Sequence, residues 1–196
     1  MTRVARQQNR SMTTRQGFLD AARAVFGEEG FAEASVAEIV RRAGSSVGSL
    51  YHHFGGKNEL FVALYDEWDA ELGQRAAQAV TAAREAGEAD PKQLFVAGAT
   101  AYLRGCWERR QLARLFVEGD VPPGFESLRR ARTQAWVKQN AKLLRAGEHT
   151  VTRAMAAILT SVLGGAGREV VACRDTAEAE ELISAVVVMV STIPVP

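Results

Sequence analysis

Cysteine and histidine are scarce: Cys106 and Cys173 are the only two cysteines, and there are three histidines, in 196 residues. Two cysteines so far apart build no disulfide framework, and they fit a reducing cytoplasm better than a secreted scaffold. His52 and His53 are adjacent, so on a helix they do not face each other. No Cys or Asp ligand pattern lies beside them, and no metal site is expected. The first residues lack the apolar core of a signal peptide, and no apolar run approaches the roughly 18 residues of a membrane span. A cytoplasmic chain with no membrane partner is the expectation. A nucleophile elbow and a phosphate-binding loop are also missing, which argues against an enzyme and leaves no cofactor to expect. Excess charge is lacking too. A net charge of +1 exerts no global pull on nucleic acid, so any DNA affinity must come from a local patch.

What is present is ordinary in bulk: 47% hydrophobic and 24% charged residues, in a chain long enough for one or two domains with a real core. One stretch stands out, Ser35 to Lys57. Val36, Ile39, Val40 and Ala43 fall at i, i+3, i+4, i+7, and Val47, Leu50, Tyr51 and Phe54 repeat that spacing. Between them, Gly44 can take the left-handed conformation that ends a helix, and Ser46 (or Ser45) can cap the next one. Two short helices joined by a glycine-containing turn make a helix-turn-helix, whose second helix is built to enter a DNA major groove. Leu50 and Phe54 point inward on that helix, which leaves Ser46, Val47, Ser49 and His52 outward. Gly48 permits close approach of the backbone to DNA. Tyr51 offers a phenol to a phosphate.

These residues resemble the recognition segment of TetR-family transcriptional regulators. Ala43 to Phe54, followed by Lys57, Asn58, Glu59 and Leu60, is similar to the family pattern AGVSxGTLYxHF with its small turn, lysine and acidic pair. Ser45 departs from the usual valine, and Val47 stands where a Lys or Arg often reads bases. The resemblance implies that Val47 and His52 read bases, and that Ser46, Ser49, Tyr51, His53 and Lys57 contact phosphates. Val47 offers only apolar contact, for example to a thymine methyl. Ser35, in the capping-box pattern Ser35-x-x-Glu38, starts the preceding helix, and its exposed helix N-terminus suits a further phosphate.

Around that segment the chain reads as all-α. Residues 1–12, with Arg3, Arg6 and Arg10 and no acid, are expected as a basic flexible arm. Residues 13–56 form a three-helix DNA-binding domain. Its first helix starts at the capping-box pattern Thr13-x-x-Gln16, carries Phe18, Ala22, Val25 and Phe26 on one stripe, and stops near Gly30. Residues 57–196 form a helical ligand-binding and dimerisation domain. Its first helix carries Leu60, Leu64, Trp68 and Leu72 at i, i+4 steps, and is joined covalently to the reading head as a natural lever. Asp90 with Pro91 opens another helix. Further helices are expected from about Phe125 to Arg145, from Val151 to a stop at Gly164-Gly165, and after the cap at Asp175.

Phe95, Tyr102, Cys106, Trp107, Phe116, Phe125 and Trp136 are the candidate lining of a largely apolar effector site. Val151, Met155, Ile158, Leu159 and Val162, with Leu182, Val186, Met189 and Val190, put apolar residues on two sides of the last two helices. The resemblance implies that a second subunit covers them in a four-helix dimer interface. The resulting expectation is a repressor that binds a near-palindromic double-stranded DNA operator as a homodimer and is released by a small apolar or amphipathic effector. The alternative is a helix-turn-helix protein without a small-molecule pocket, constitutive or controlled by a protein partner.

Overall fold

The computed structural model describes residues 3–147 and 149–194, with side chains from residue 11 onward. Among these residues there are nine helices and no strand: α1 (Arg3–Glu33), α2 (Val36–Arg42), α3 (Val47–Phe54), α4 (Lys57–Glu85), α5 (Pro91–Glu108), α6 (Arg110–Val117), α7 (Phe125–Leu143), α8 (Thr150–Ala172) and α9 (Thr176–Thr192). They form two compact units. One takes the chain up to Trp68 together with Arg114–Phe125, and the other takes Asp69–Ala113 and the residues from Glu126 onward. The division falls inside α4, not at its start at residue 57.

In the first unit, α1 buries Phe18, Leu19, Ala22, Val25 and Phe26 on one stripe. The helix does not begin at Thr13. It extends back to Arg3, because residues 3–12 contain no Gly or Pro and are rich in good helix formers. The expected arm is therefore helical from Arg3 onward, and Met1 and Thr2 lie outside the described residues. At the other end, Gly30 leaves helical geometry at φ 78° and ψ 168°, so the regular helix breaks where a stop was expected. Rings then hold the unit together. Phe61 of α4 meets Phe31 at 5.0 Å, Phe125 at 5.2 Å, Phe116 at 5.4 Å and Phe26 at 5.6 Å between centroids, each edge-on. Such pairs add about 0.5–1.5 kcal/mol each beyond the area they bury.

In the second unit, α5 lies against α8 and α9, and α8 against α9. Asp90 caps α5 by accepting from the Lys92 amide, and Asp175 caps α9 by accepting from the Glu178 amide. Small residues set the close approach of α4 to α5. A Cβ at Gly105 would lie 2.7 Å from Leu72 Cδ2, and one at Gly98 would lie 3.1 Å from Val80 Cγ2. The expected stop at Gly164-Gly165 does not occur, and α8 runs on to Ala172. Tertiary packing overrides the weak helix propensity of glycine there. Leu163, Gly167, Val170 and Val171 are buried, and a Cβ at Gly167 would press on Cys106 Sγ and the Tyr102 hydroxyl, both at 3.3 Å. Among the described residues α8 alone is long and apolar enough to cross a membrane. It packs against α5 and α9 instead.

Candidate nucleic-acid interface

The turn between α2 and α3 closes by paired backbone bonds. Ser45 N donates to Val40 O and Gly44 N donates to Arg41 O, each at 3.2 Å, with Gly44 at φ 58°. This is the six-to-one and five-to-two pattern that satisfies the last carbonyls of a helix, and it needs a residue that tolerates positive φ. Ser46 Oγ then accepts from Ser49 N at 3.2 Å and starts α3. Ser35 Oγ accepts from Glu38 N at 3.1 Å and starts α2. Only half of the second capping box forms, because the Glu38 carboxylate turns to arginines instead.

Leu50 anchors α3 with no exposure, while Val47 and Tyr51 are 48% and 53% exposed. Both face solvent, away from the core that holds Leu50. His52, Ser46 and Gly48 are exposed as well, Ser49 is half-buried, and nothing lies within 4 Å of where a Gly48 Cβ would be. These residues share the outward face of α3. Ser35 is exposed at the N-terminus of α2.

Two expected phosphate contacts are placed differently. Lys57 Nζ donates to the carbonyls of Phe31 at 2.9 Å, Ala34 at 3.0 Å and Ala32 at 3.1 Å, and lies 4.7 Å from the Phe31 ring centroid. An ammonium has three protons, and all three are engaged in closing the end of α1. Lys57 is thus a clamp between α1 and α4, with no donor left over for a phosphate. His53 is half-buried, its ring 6.2 Å from that of Phe18, so it belongs in part to the scaffold.

Two cations escaped the sequence reading. Arg15 of α1 lies over the Phe54 ring at 5.0 Å, exposed beside the end of α3. No local motif marks it, since its neighbour is far along the chain. Arg41, whose side chain is 71% exposed, pairs with Glu38 at 2.7 Å. Glu38 also binds Arg42, which forks onto Glu28 through two bonds of 2.8 Å. Hydrogen bonds from Arg41 and Arg42 hold the Glu38 carboxyl down to about 2, and the Arg42 guanidinium is raised by Glu28 and Glu38. This network orients the last turn of α2 and partly cancels its positive charge.

In the second unit a cavity of about 390 Å³ opens between α4, α5, α7 and α8. Of the expected effector residues, Phe95, Tyr102 and Trp136 line it. Cys106 and Trp107 are buried but do not line it. Burial pushes the Cys106 thiol up to about 12, against a smaller opposing pull from a hydrogen bond with Tyr102, so it stays protonated. Phe116 and Phe125 belong to the ring cluster of the first unit. Their apolar character was legible and their address was not. Sequence reasoning missed small and polar lining residues such as Ala76, Thr133, Asn140, Thr160 and Gly164, the apolar Val80 and Leu163, and Arg84.

The expected dimer residues also separate by exposure. Val151, Ile158 and Met189 are 53%, 52% and 45% exposed, while Met155, Val162 and Leu182 are half-buried. Leu159, Val186 and Val190 are buried within the chain's own core and are unavailable to a partner. Val188, 64% exposed, joins the open face.

Comparison with known proteins agrees with this architecture. Residues 18–64 match the family described as bacterial regulatory proteins, tetR family. The chain is 34% identical over 70 residues to the HTH-type transcriptional repressor AcnR of Corynebacterium efficiens, covering 36% of this chain and 37% of that one. It is 36% identical over 98 residues to the HTH-type transcriptional regulator BetI 2 of Chromohalobacter salexigens, covering 50% and 44%. The matched length is thus less than half of either relative. Both are named as regulators of transcription, and neither as an enzyme. The crystal structure of a TetR-family transcriptional regulator from Pectobacterium atrosepticum superimposes with a TM-score of 0.65 at 23% identity, covering 96% of this chain and 95% of that one. The fatty acid degradation regulator FadR from Bacillus halodurans does so with a TM-score of 0.70 at 17% identity, covering 90% and 97%. At such identities the likeness is one of fold.

Proposed function

We propose that this chain, whose residues 18–64 match the tetR family of bacterial regulatory proteins, is a sequence-specific DNA-binding transcriptional repressor. In this reading it acts as a homodimer on a near-palindromic operator and is released by a small molecule. The observation that carries the DNA half is α3, a short helix anchored by Leu50 and capped by Ser46, yet exposing Val47, Tyr51 and His52 on one face. Val47 and His52 read base edges there. Ser35, Ser46, Ser49, Tyr51 and the exposed edge of His53 set phosphate register. Lys57 acts by holding α4 onto α1.

Exposed Val151 and Ile158 and half-buried Met155 and Val162 recur at helical spacing on α8, and Val188 and Met189 are exposed on α9. A second copy is the natural cover for such a stripe, and a two-fold dimer presents two α3 helices to successive turns of one DNA face. Release then requires the ligand to prefer a dimer whose heads are mis-spaced. Moving that equilibrium from 1:99 to 99:1 takes about 5.5 kcal/mol of differential binding. Helix α4, which belongs to both units, is the lever. A constitutive binder has no use for a cavity of about 390 Å³, which favours the ligand-controlled form.

Footprinting of the DNA flanking the chain's own gene tests the reading. Two related half-sites, their centres about one helical turn apart or slightly more, are expected. His52→Ala should change preference at particular base pairs by about 1–3 kcal/mol. Uniform behaviour across all sequences, or one chain bound per site, would remove the assignment.

A further inference from the structure

Among the described residues, the cavity of the second unit is lined by two cations, Arg84 and Lys142, and by no carboxylate. We propose that it takes an amphipathic organic anion: an apolar or aromatic body seated on the inner walls, with a carboxylate or similar anionic head at the mouth. This rests on the ligand-released reading above and narrows it to a chemical class.

The inner wall is apolar and its polar groups are already engaged. Phe95, Val80 and Leu163 supply hydrocarbon surface. The Trp136 indole N–H donates to Asp69 at 2.8 Å, which fixes the ring and removes its donor from a ligand. The Asn140 amide donates to Thr160 Oγ1 at 2.9 Å, and that hydroxyl donates to Ala156 O at 2.7 Å. A charged head would be desolvated among these groups without compensation, so the inner end selects for a neutral body.

The mouth is different. Arg84 and Lys142 stand on the last turns of α4 and α7, both exposed. Neither makes an ion pair with a described residue, whereas Arg75, Arg104 and Arg109 do. Aromatic walls could also attract a cation through their ring faces, but two positive charges in the same lining oppose that. The partial negative charge of the two helix ends reduces the field at the mouth, and solvent screens it. The preference for an anion is therefore roughly tenfold, not thousandfold.

A matched set of probes reads this directly: phenylbutanoate, phenylbutanol and phenylbutylamine, titrated calorimetrically into the full chain at low and high salt. The acid should bind about tenfold more tightly than the alcohol and more tightly still than the amine, with the margin narrowing at high salt. The double change Arg84→Gln and Lys142→Gln should bring acid and alcohol level without altering thermal stability, since both side chains are exposed. The change Leu163→Trp should abolish binding of all three by filling the cavity. If the alcohol or amine binds as well as the acid in the unaltered chain, or if the double change leaves the margin intact, the anionic class is wrong while the ligand site stands. If none of the three binds up to its solubility, the cavity is no effector site and both readings fall.

Discussion

The two compact units solve opposite problems. The first fills its centre with rings, Phe26, Phe31, Phe61, Tyr65, Phe116 and Phe125, and fixes a short helix whose outward residues are then free for recognition. The second brings helices together on glycine and alanine, and leaves a cavity beside Trp136. Rigid packing suits a part that must present side chains within a fraction of an ångström, because aromatic cores tolerate few alternative arrangements. Retained volume suits a part whose state is to be changed by what enters it. The difference lies in side-chain size, since both units are built of helices with no strand among the described residues.

That contrast can be broken by truncating one ring in each unit. Phe61→Ala removes a fully buried ring from four edge-on partners and should cost about 3–5 kcal/mol in denaturant unfolding. Trp136→Ala enlarges a space that already exists and removes a half-buried ring with its bond to Asp69, so its cost should be lower, about 1–2 kcal/mol, with ligand binding changed far more than stability. Equal costs would mean that the two cores do not differ as described.

Lys57→Met comes next in size. Loss of three charge-assisted bonds to backbone carbonyls should destabilise the first unit by about 1–3 kcal/mol. Because the ammonium already has its partners, the slope of DNA affinity against salt should stay unchanged. A slope flatter by about one would restore Lys57 as a phosphate contact.

Gly48→Ala sharpens the claim about the outward face. Nothing lies near the added methyl, so the fold should gain up to about 1 kcal/mol from helix propensity while operator affinity falls. Unchanged affinity would show that the α3 backbone does not approach DNA closely.

The smallest effect concerns acid. Arginine hydrogen bonds lower Glu38 from 4.5 to about 2 in the folded chain, so the folded state binds fewer protons there than the unfolded state. Its contribution is fully present above about pH 4.5 and is lost as pH falls toward about 2. Glu38→Gln should flatten that limb of the denaturation midpoint against pH and leave neutral pH nearly untouched. An unaltered acid limb would show the network to be weak in solution.

Legibility followed distance along the chain. The α2–α3 segment was readable because its signals are local: Gly44 in the turn, Ser35 and Ser46 at the caps, and apolar spacing within each helix. Asp90 and Asp175 were readable for the same reason. Thr13 was misjudged as a helix start because capping residues also occur inside helices, and no breaker precedes it. Gly164-Gly165 was misjudged as a stop because burial against α5 and α9 outweighs glycine's weak propensity. The cavity was only partly legible. Its rings attract attention in a sequence, but Ala76, Gly98 and Gly164 create volume by what they lack, and their convergence depends on four helices at once. Phe116 and Phe125 looked like effector contacts and instead belong to the ring cluster, an assignment that no local pattern encodes.

The return of Arg114–Phe125 to the first unit bears on how such chains can be recombined. The path between units is crossed at Trp68–Asp69, at Ala113–Arg114 and again at Phe125–Glu126. A single genetic crossover within α4 would therefore deliver a reading head with Phe61 and Tyr65 from one parent and Phe116 and Phe125 from the other. Reader and sensor could be inherited separately only if that twelve-residue insert travelled with the head, or if both parents had kept interchangeable rings. A graft that moves residues up to 68 and 114–125 together is the unit of exchange this architecture allows.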